Sequence, residues 1–387
     1  MKKFLVSICL CMLCVPLFAE TAAQLFARAK QEPNPNIQIK MLSKVISRAP
    51  RMADAYHYRG DAHRSLGHTR QAIEDYTHTI RLRPKDPFRY YARALTYLDM
   101  GRPSLAAADL TRAISLKPAY RNFYLSRARA YTALGKYEGA IADYKKYLRA
   151  KAPPPDLALE MAQSYLGAYR YEDAEKQLDF AAQEGEDSAD LHFWRGRVYG
   201  GQGRLDEAIS SYSKALHRQD HYAPAYRYRA AAFKDIGDLE ASLEDYTKLI
   251  ALQPEASYYN RRGLIYEELK QFKSAAADYS KAIELNPKWA IPYNNRGFVK
   301  MNLKNWAGAK SDLETAIKLD GSSPTPYVNL AGVHWLWKKD RKKAYQNLDK
   351  AMRRNFKKFE SLYDEEQKGW MFKGLNKTQE FRALMYR

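Results

Sequence analysis

Residues 56–84, YHYRGDAHRSLGHTRQAIEDYTHTIRLRP, carry the spacing that decides the fold. Tyr56 is followed after four residues by Gly60, and Ala72 after four by Tyr76, so each pair lies on one face of a helix. Gly67 separates the two helical stretches and Pro84 follows the second. Gly enters the left-handed cap conformation without steric penalty, and Pro cannot continue a helix. The segment is therefore a helical hairpin whose helices meet closely at Gly60.

The same spacing recurs outward from this segment. Tyr56, Tyr90 and Tyr124 stand at 34-residue steps, and Tyr226, Tyr259, Tyr293 and Tyr327 continue the column at steps of 33 or 34. Gly60, Ala94, Ala128, Ala162, Gly196, Ala230, Gly263, Gly297 and Ala331 form a column with no side chain larger than methyl. A second small column is Ala72, Ala106, Ala140, Ala174, Ala208, Ser242, Ala275 and Ala309. Gly101, Gly135, Gly203 and Gly237 repeat the turn, and Pro118, Pro254 and Pro287 repeat the stop.

Aromatic, small residue, aromatic, then Ala, aromatic and Pro is the order in which these residues resemble the tetratricopeptide repeat family. The resemblance covers nine units: 53–86, 87–120, 121–154, 155–188, 189–222, 223–255, 256–289, 290–323 and 324–357. It implies an all-α solenoid, a right-handed superhelix of helix-turn-helix repeats with the first helices on its concave side. Residues 20–52 look like a degenerate helical pair before the first unit. The last unit slips by one residue at Ala344 and Leu348, and residues 358–387 are expected to be a helical C-terminal cap over the end of the stack.

Residues 1–19 read as a signal peptide: Lys2 and Lys3, an apolar run from Phe4 to Phe18, and Ala19 before Glu20. The run is shorter than the roughly 20 residues a membrane-spanning helix needs, so export to the periplasm or envelope is expected. A lipoprotein anchored through Cys14, or Cys11, is the alternative, although Leu13 and Leu10 replace the small residue usual there. The three Cys all lie in this segment, which leaves the body without disulfides, a Cys nucleophile or Cys-ligated zinc. At 46% hydrophobic and 28% charged, the composition is that of a folded chain.

Two compositional excesses are largely structural. Seventeen of the 30 Tyr fall in the aromatic columns, Tyr97, Tyr131, Tyr165, Tyr199 and Tyr266 among them. The net charge of +20 includes Arg59, Arg93, Arg127, Arg229, Arg262 and Arg296, each followed sixteen residues later by Asp75, Asp109, Asp143, Asp245, Asp278 or Asp312. Where the Arg is replaced, by Met161 and Leu330, the Asp is also replaced, by Gln177 and Gln346. Arg195 with Ser211 breaks the rule. A ladder of bidentate Arg–Asp pairs between the two helices of each repeat is expected.

Function is sought in what packing does not require. Phe88, Tyr91, Leu95 and Leu98 step along one first helix, continued by Leu125, Leu159 and Phe193, and Ile291, Phe298, Met301, Val328 and Trp335 repeat the theme further on. These residues either pack neighbouring repeats or offer groove anchors for a protein or peptide partner. A polar waist of Arg227, Lys234, Asp235, Asn260, Glu267 and Glu268 lies between. The family's acceptors of C-terminal peptide carboxylates pair Lys with Asn on successive first helices, and only Asn260 and Asn294 stand in such places. A basic stretch, Lys338, Lys339, Arg341, Lys342, Lys343, Lys350, Arg353, Arg354, Lys357 and Lys358, is interrupted by Asp340 and Asp349. It is either a solvated helix face or a patch for an acidic protein, an anionic surface or a polysaccharide. Nucleic acid is not expected for an exported chain.

Catalytic constellations are missing from the sequence. His57, His63, His68 and His78 lack metal-ligand spacing, and His217 and His221 straddle a helix end. Gly200, Gly201 and Gly203 form a turn with no strand before it. The expected function is a non-catalytic protein-interaction scaffold of the bacterial cell envelope, with no metal or cofactor and with the basic stretch assisting. The alternative is a surface adhesin or polyanion binder that works through that stretch.

Overall fold

The computed structural model describes residues 20–354. The expected signal peptide with Cys14, the C-terminal cap, Lys357 and Lys358 lie outside the described residues. The chain divides into two units, residues 1–174 and 175–387. In the first, α1 (Ala22–Gln31) and α2 (Pro35–Arg48) precede the hairpins α3 (Ala53–Ser65) with α4 (Thr69–Leu82), α5 (Pro87–Asp99) with α6 (Pro103–Leu116), and α7 (Arg121–Ala133) with α8 (Tyr137–Leu148). Then follows α9 (Pro155–Gly167), and the division falls inside α10 (Tyr171–Gln183). The second unit continues with the hairpins α11 (Ala189–Gly201) with α12 (Leu205–Arg218), α13 (Ala223–Asp235) with α14 (Leu239–Leu252), and α15 (Ala256–Glu268) with α16 (Phe272–Leu285). It ends with α17 (Ala290–Asn302) beside α18 (Trp306–Leu319), and α19 (Thr325–Val333) beside α20 (Arg341–Met352). The fold is an all-α solenoid of helix-turn-helix repeats.

Local chemistry explains the helix ends. Thr21 and Gln24 form a reciprocal capping box, Asn34 and Asp86 cap helices that open with Pro, and Asp238, Asn305 and Asp340 cap second helices. The turn between helices takes one left-handed residue. It is glycine in five repeats, with Gly67 at φ 73°, but Tyr169, Lys270 and Lys304 adopt φ 59° in the same place. These repeats carry backbone strain that glycine would relieve. The triple proline Pro153–Pro155 follows a second irregularity, two consecutive left-handed residues, Arg149 and Ala150.

The small column is a contact surface. A Cβ on Gly196 would lie 2.5 Å from the Tyr212 ring, and one on Gly60 2.8 Å from Tyr76, so the absent side chain is the space the ring fills. These rings and the small residues around them are buried, and close packing here sets the hairpin angle. The buried Tyr hydroxyls find carboxylates at the surface: Tyr76 donates to Asp61 at 2.7 Å and Tyr279 to Glu267 at 2.9 Å. Burial, reinforced by these charges, pushes both phenols well above their ordinary range.

The one-residue slip of the last unit has a physical cause. Between α19 and α20 the chain makes a π-helical turn, His334–Lys338, in which Lys339 N–H reaches the His334 carbonyl. Such a turn accommodates one extra residue without unwinding the helix. Ala344 and Leu348 consequently enter the core cluster, together with Leu313 and Ala331.

Candidate functional site

The six expected Arg–Asp pairs all form. In each, Nε and Nη2 of the Arg donate to the two carboxylate oxygens at 2.6–2.9 Å. The remaining nitrogen, Nη1, donates at 2.8–3.1 Å to Ser43, Thr77, Thr111, Ser213, Thr247 or Ser280, a hydroxyl on the second helix of the preceding repeat. Each guanidinium thus ties its own hairpin together and joins it to the one before. Ser43 brings α2 into the ladder, so the N-terminal pair is bound into the stack as a repeat is. Burial pushes the Asp245 carboxyl up, and the Arg229 bond offsets the penalty. These arginines are spent on packing.

The first helices make a face of their own. Successive first helices run side by side, and residues about 35 apart bridge them: Arg64 with Asp99 at 2.6 Å, Tyr91 with Ser126 at 3.5 Å, and Asn295 with Asn260 at 3.2 Å.

In the first unit this face is self-paired. Arg129 binds Glu160 through two 2.9 Å bonds, and Arg89 binds Asp54 and Asp86. Its apolar part is an aromatic group at the starts of α5 and α7. Phe88 packs edge-on against Tyr120 and Phe123, Tyr91 tilts onto Phe123, and Lys117 lies 4.8 Å above Phe88. Phe88 is exposed at its rim, while Tyr91, Leu95, Leu98, Leu125 and Leu159 are half-buried.

In the second unit the expected anchors divide. Phe193, Met301 and Val328 are 5%, 1% and 5% exposed and belong to core clusters, so they pack repeats and are not groove anchors. Their stripe is covered by the neighbouring first helix, which a single helix's periodicity does not reveal. Phe298 and Trp335 are half-buried against the same core. Ile291 at 52% and Leu264 at 39% present apolar surface outward, and Leu264 was not singled out from sequence.

Polar residues on this face form a connected set. Asn329 donates to Asn294 at 2.9 Å, Asn294 to Asn295 and Asn295 to Asn260, each at 3.2 Å. Lys234 of the polar waist pairs with Glu268 at 3.1 Å. Beside them Trp194, Arg197, Tyr228 and Arg261 lie outside the apolar stripes that the sequence displays. The column two residues after each first-helix aromatic, read on its own, would have shown Trp194, Tyr228, Arg261, Asn295 and Asn329 in succession.

The basic stretch is less uniform than its sequence. Lys339 sits in a left-handed turn and is not on α20, and Lys338 folds over the Trp337 ring at 3.6 Å. Arg353 pairs with Asp349 at 2.9 Å. Arg354 lies 4.3 Å over Tyr327 and donates to the Gly321 carbonyl, so it is a structural residue and leaves the patch. Arg341, Lys342, Lys343 and Lys350 remain exposed on α20, with Lys343 3.5 Å from Asp340.

An open recess of about 540 Å³ is lined by Asp187, His192, Ser210, Ser213, Lys214, His217 and Arg218. Asp187 binds both His192 and Arg218, which hold its carboxyl below the usual range. His221 turns to Asp220 instead. Among the described residues no group of three His, Asp or Glu is placed to hold a metal ion, and no helix is long and apolar enough to cross a membrane.

Tetratricopeptide repeat models match residues 53–86, 91–155, 159–224 and 256–288, and the chain belongs to the tetratricopeptide repeat family. Among solved structures it is similar to a tetratricopeptide repeat protein from Parabacteroides merdae. Identity is 20% over 64% of this chain and 98% of that one, with a TM-score of 0.53. It is similar also to the C-terminal part of a repeat-containing protein from Cytophaga hutchinsonii, at 18% identity over 59% and 97% of the two chains and a TM-score of 0.50. Likeness at these identities shows the fold alone. No curated protein matches the chain.

Proposed function

We propose that this chain is a non-catalytic interaction scaffold of the bacterial cell envelope, and that a protein or peptide partner docks on its first-helix face. One observation carries the reading. The ladder arginines are consumed by packing, whereas the first helices of the second unit direct Ile291 and Leu264 outward beside the half-buried amides of Asn294 and Asn295. Outward apolar side chains beside fixed amides are what a peptide partner requires for affinity and register. The envelope location rests on residues 1–19 alone. The exposed basic residues of α20 would assist by attracting an acidic partner.

The test is affinity capture from an envelope extract at low and then raised salt, with wild type beside a Leu264→Ser, Ile291→Ser variant. A single partner retained at raised salt and lost with the variant supports the scaffold. Heterogeneous anionic material, released by salt from both, would replace it with a polyanion binder acting through α20.

A further inference from the structure

Arg197, Arg227 and Arg261 stand on α11, α13 and α15, three successive first helices of the second unit. Among the described residues no carboxylate lies within ion-pair distance of any of them. This contrasts with the first unit, where Arg64, Arg89 and Arg129 on the same face are all paired. Two of the three share one aromatic ring. Arg197 lies 4.1 Å and Arg227 4.6 Å from the Tyr228 ring centre, and Arg197 also lies 5.9 Å from Trp194. Arg261 lies against the Tyr246 hydroxyl, which burial pushes up while the charges of Arg261 and Arg227 oppose the shift. Contact with the ring holds the guanidinium groups of Arg197 and Arg227 in place without engaging them in an ion pair. Asn260, beside Arg261 on α15, begins the asparagine chain Asn260, Asn295, Asn294 and Asn329.

Asp235 and Glu255 lie in the same neighbourhood without forming an ion pair with the three arginines, so positive charge is in excess and an anion would complete the arrangement. We propose that this cluster is the recognition site for an acidic, extended peptide segment of the partner, with its Asp or Glu side chains on Arg197, Arg227 and Arg261. The proposal rests on the first-helix face being the docking surface. Contacting helices lie about 10 Å apart, and an extended chain advances about 3.3 Å per residue, so a carboxylate at every third residue meets successive arginines. The half-buried amide of Asn295, on the following first helix, is placed to bond the peptide backbone beyond the acidic stretch.

The test uses a fluorescent peptide, acetylated and amidated so that side chains are its only carboxylates, with Glu at every third residue among Ser and Gly. Its Gln counterpart is the control, and binding is read by anisotropy. The Glu peptide is expected to bind wild type and the Gln peptide not. Arg227→Gln with Arg261→Gln is expected to weaken binding by more than about ten-fold, the scale of two charge-assisted hydrogen bonds. Lys248→Gln, exposed on α14, should leave it unchanged, and thermal unfolding of the Arg variant should match wild type. Equal binding to the Arg variant, or loss with the lysine variant, overturns the proposal. If the Glu peptide fails to bind while envelope capture still depends on Leu264 and Ile291, the acidic-segment inference falls and the scaffold reading stands.

Discussion

Arg195 donates to Asp179 at 2.7 Å, reaching back to the second helix of the preceding repeat because Ser211 occupies the place where other repeats have the ladder carboxylate. The carboxylate has moved from one side of the guanidinium to the other. Asp179 occupies the column that elsewhere holds the hydroxyl partners, so the repeat keeps one strong bond while exchanging its direction. Asp179→Ala should cost about 1 kcal/mol or less, since the pair is partly solvated. Adding Ser211→Asp should restore more than that loss by forming the bidentate pair within the hairpin. Urea unfolding of the single and double variants measures both steps.

The complete rungs behave differently because their Asp is buried. Asp278→Ala strands Arg262 among packed side chains and is expected to cost about 2–3 kcal/mol. Adding Arg262→Met should do little further harm, because the stranded cation goes with it. Additive losses in the double-mutant cycle would show that the two groups act independently.

Most of the fold was legible in the sequence, since small and aromatic residues at fixed spacing state directly where two helices touch. The Arg–Asp rungs were legible for the same reason: both members sit in columns and vary together, as at Met161 with Gln177. The third bond of each rung was not, because Ser and Thr tolerate many environments and their column does not stand out. The burial of Phe193, Met301 and Val328 was hidden for another reason. Helical periodicity tells which residues share a stripe, but the adjoining first helix decides whether water reaches it. Arg197, Arg227 and Arg261 required the opposite information, the absence of a carboxylate in three dimensions.

The left-handed turn residues offer a stabilising change. Lys270 and Lys304 hold φ 59° with a side chain where five other repeats use glycine. Lys270→Gly with Lys304→Gly should raise stability by about 0.5–1 kcal/mol per site, the cost of the left-handed conformation less the added chain entropy of glycine. Both sites lie at hairpin turns, so partner binding should be unaffected. Calorimetry of the double variant reads the gain.

Histidine makes the first repeat sensitive to acid. Burial pushes His57 and His63 below their ordinary value, against the opposing charges of Asp61 and Asp75 respectively. Their folded-state pKa values therefore lie under the unfolded ones. The stability they preserve is complete above about pH 6.5 and is lost as pH falls through the folded values, where the unfolded chain takes up protons first. Denaturation midpoints should fall between neutral and mildly acidic pH, and His57→Gln with His63→Gln should flatten that slope.

Site-directed photo-crosslinking in intact cells addresses the docking face most directly. A photoreactive residue is placed at Leu264 on α15 and, separately, at Lys248 on α14, both exposed and in the same unit. A discrete cross-linked partner from Leu264, with none from Lys248, is the predicted result. A partner captured from Lys248, or from Lys342 on α20, with nothing from Leu264 would contradict it.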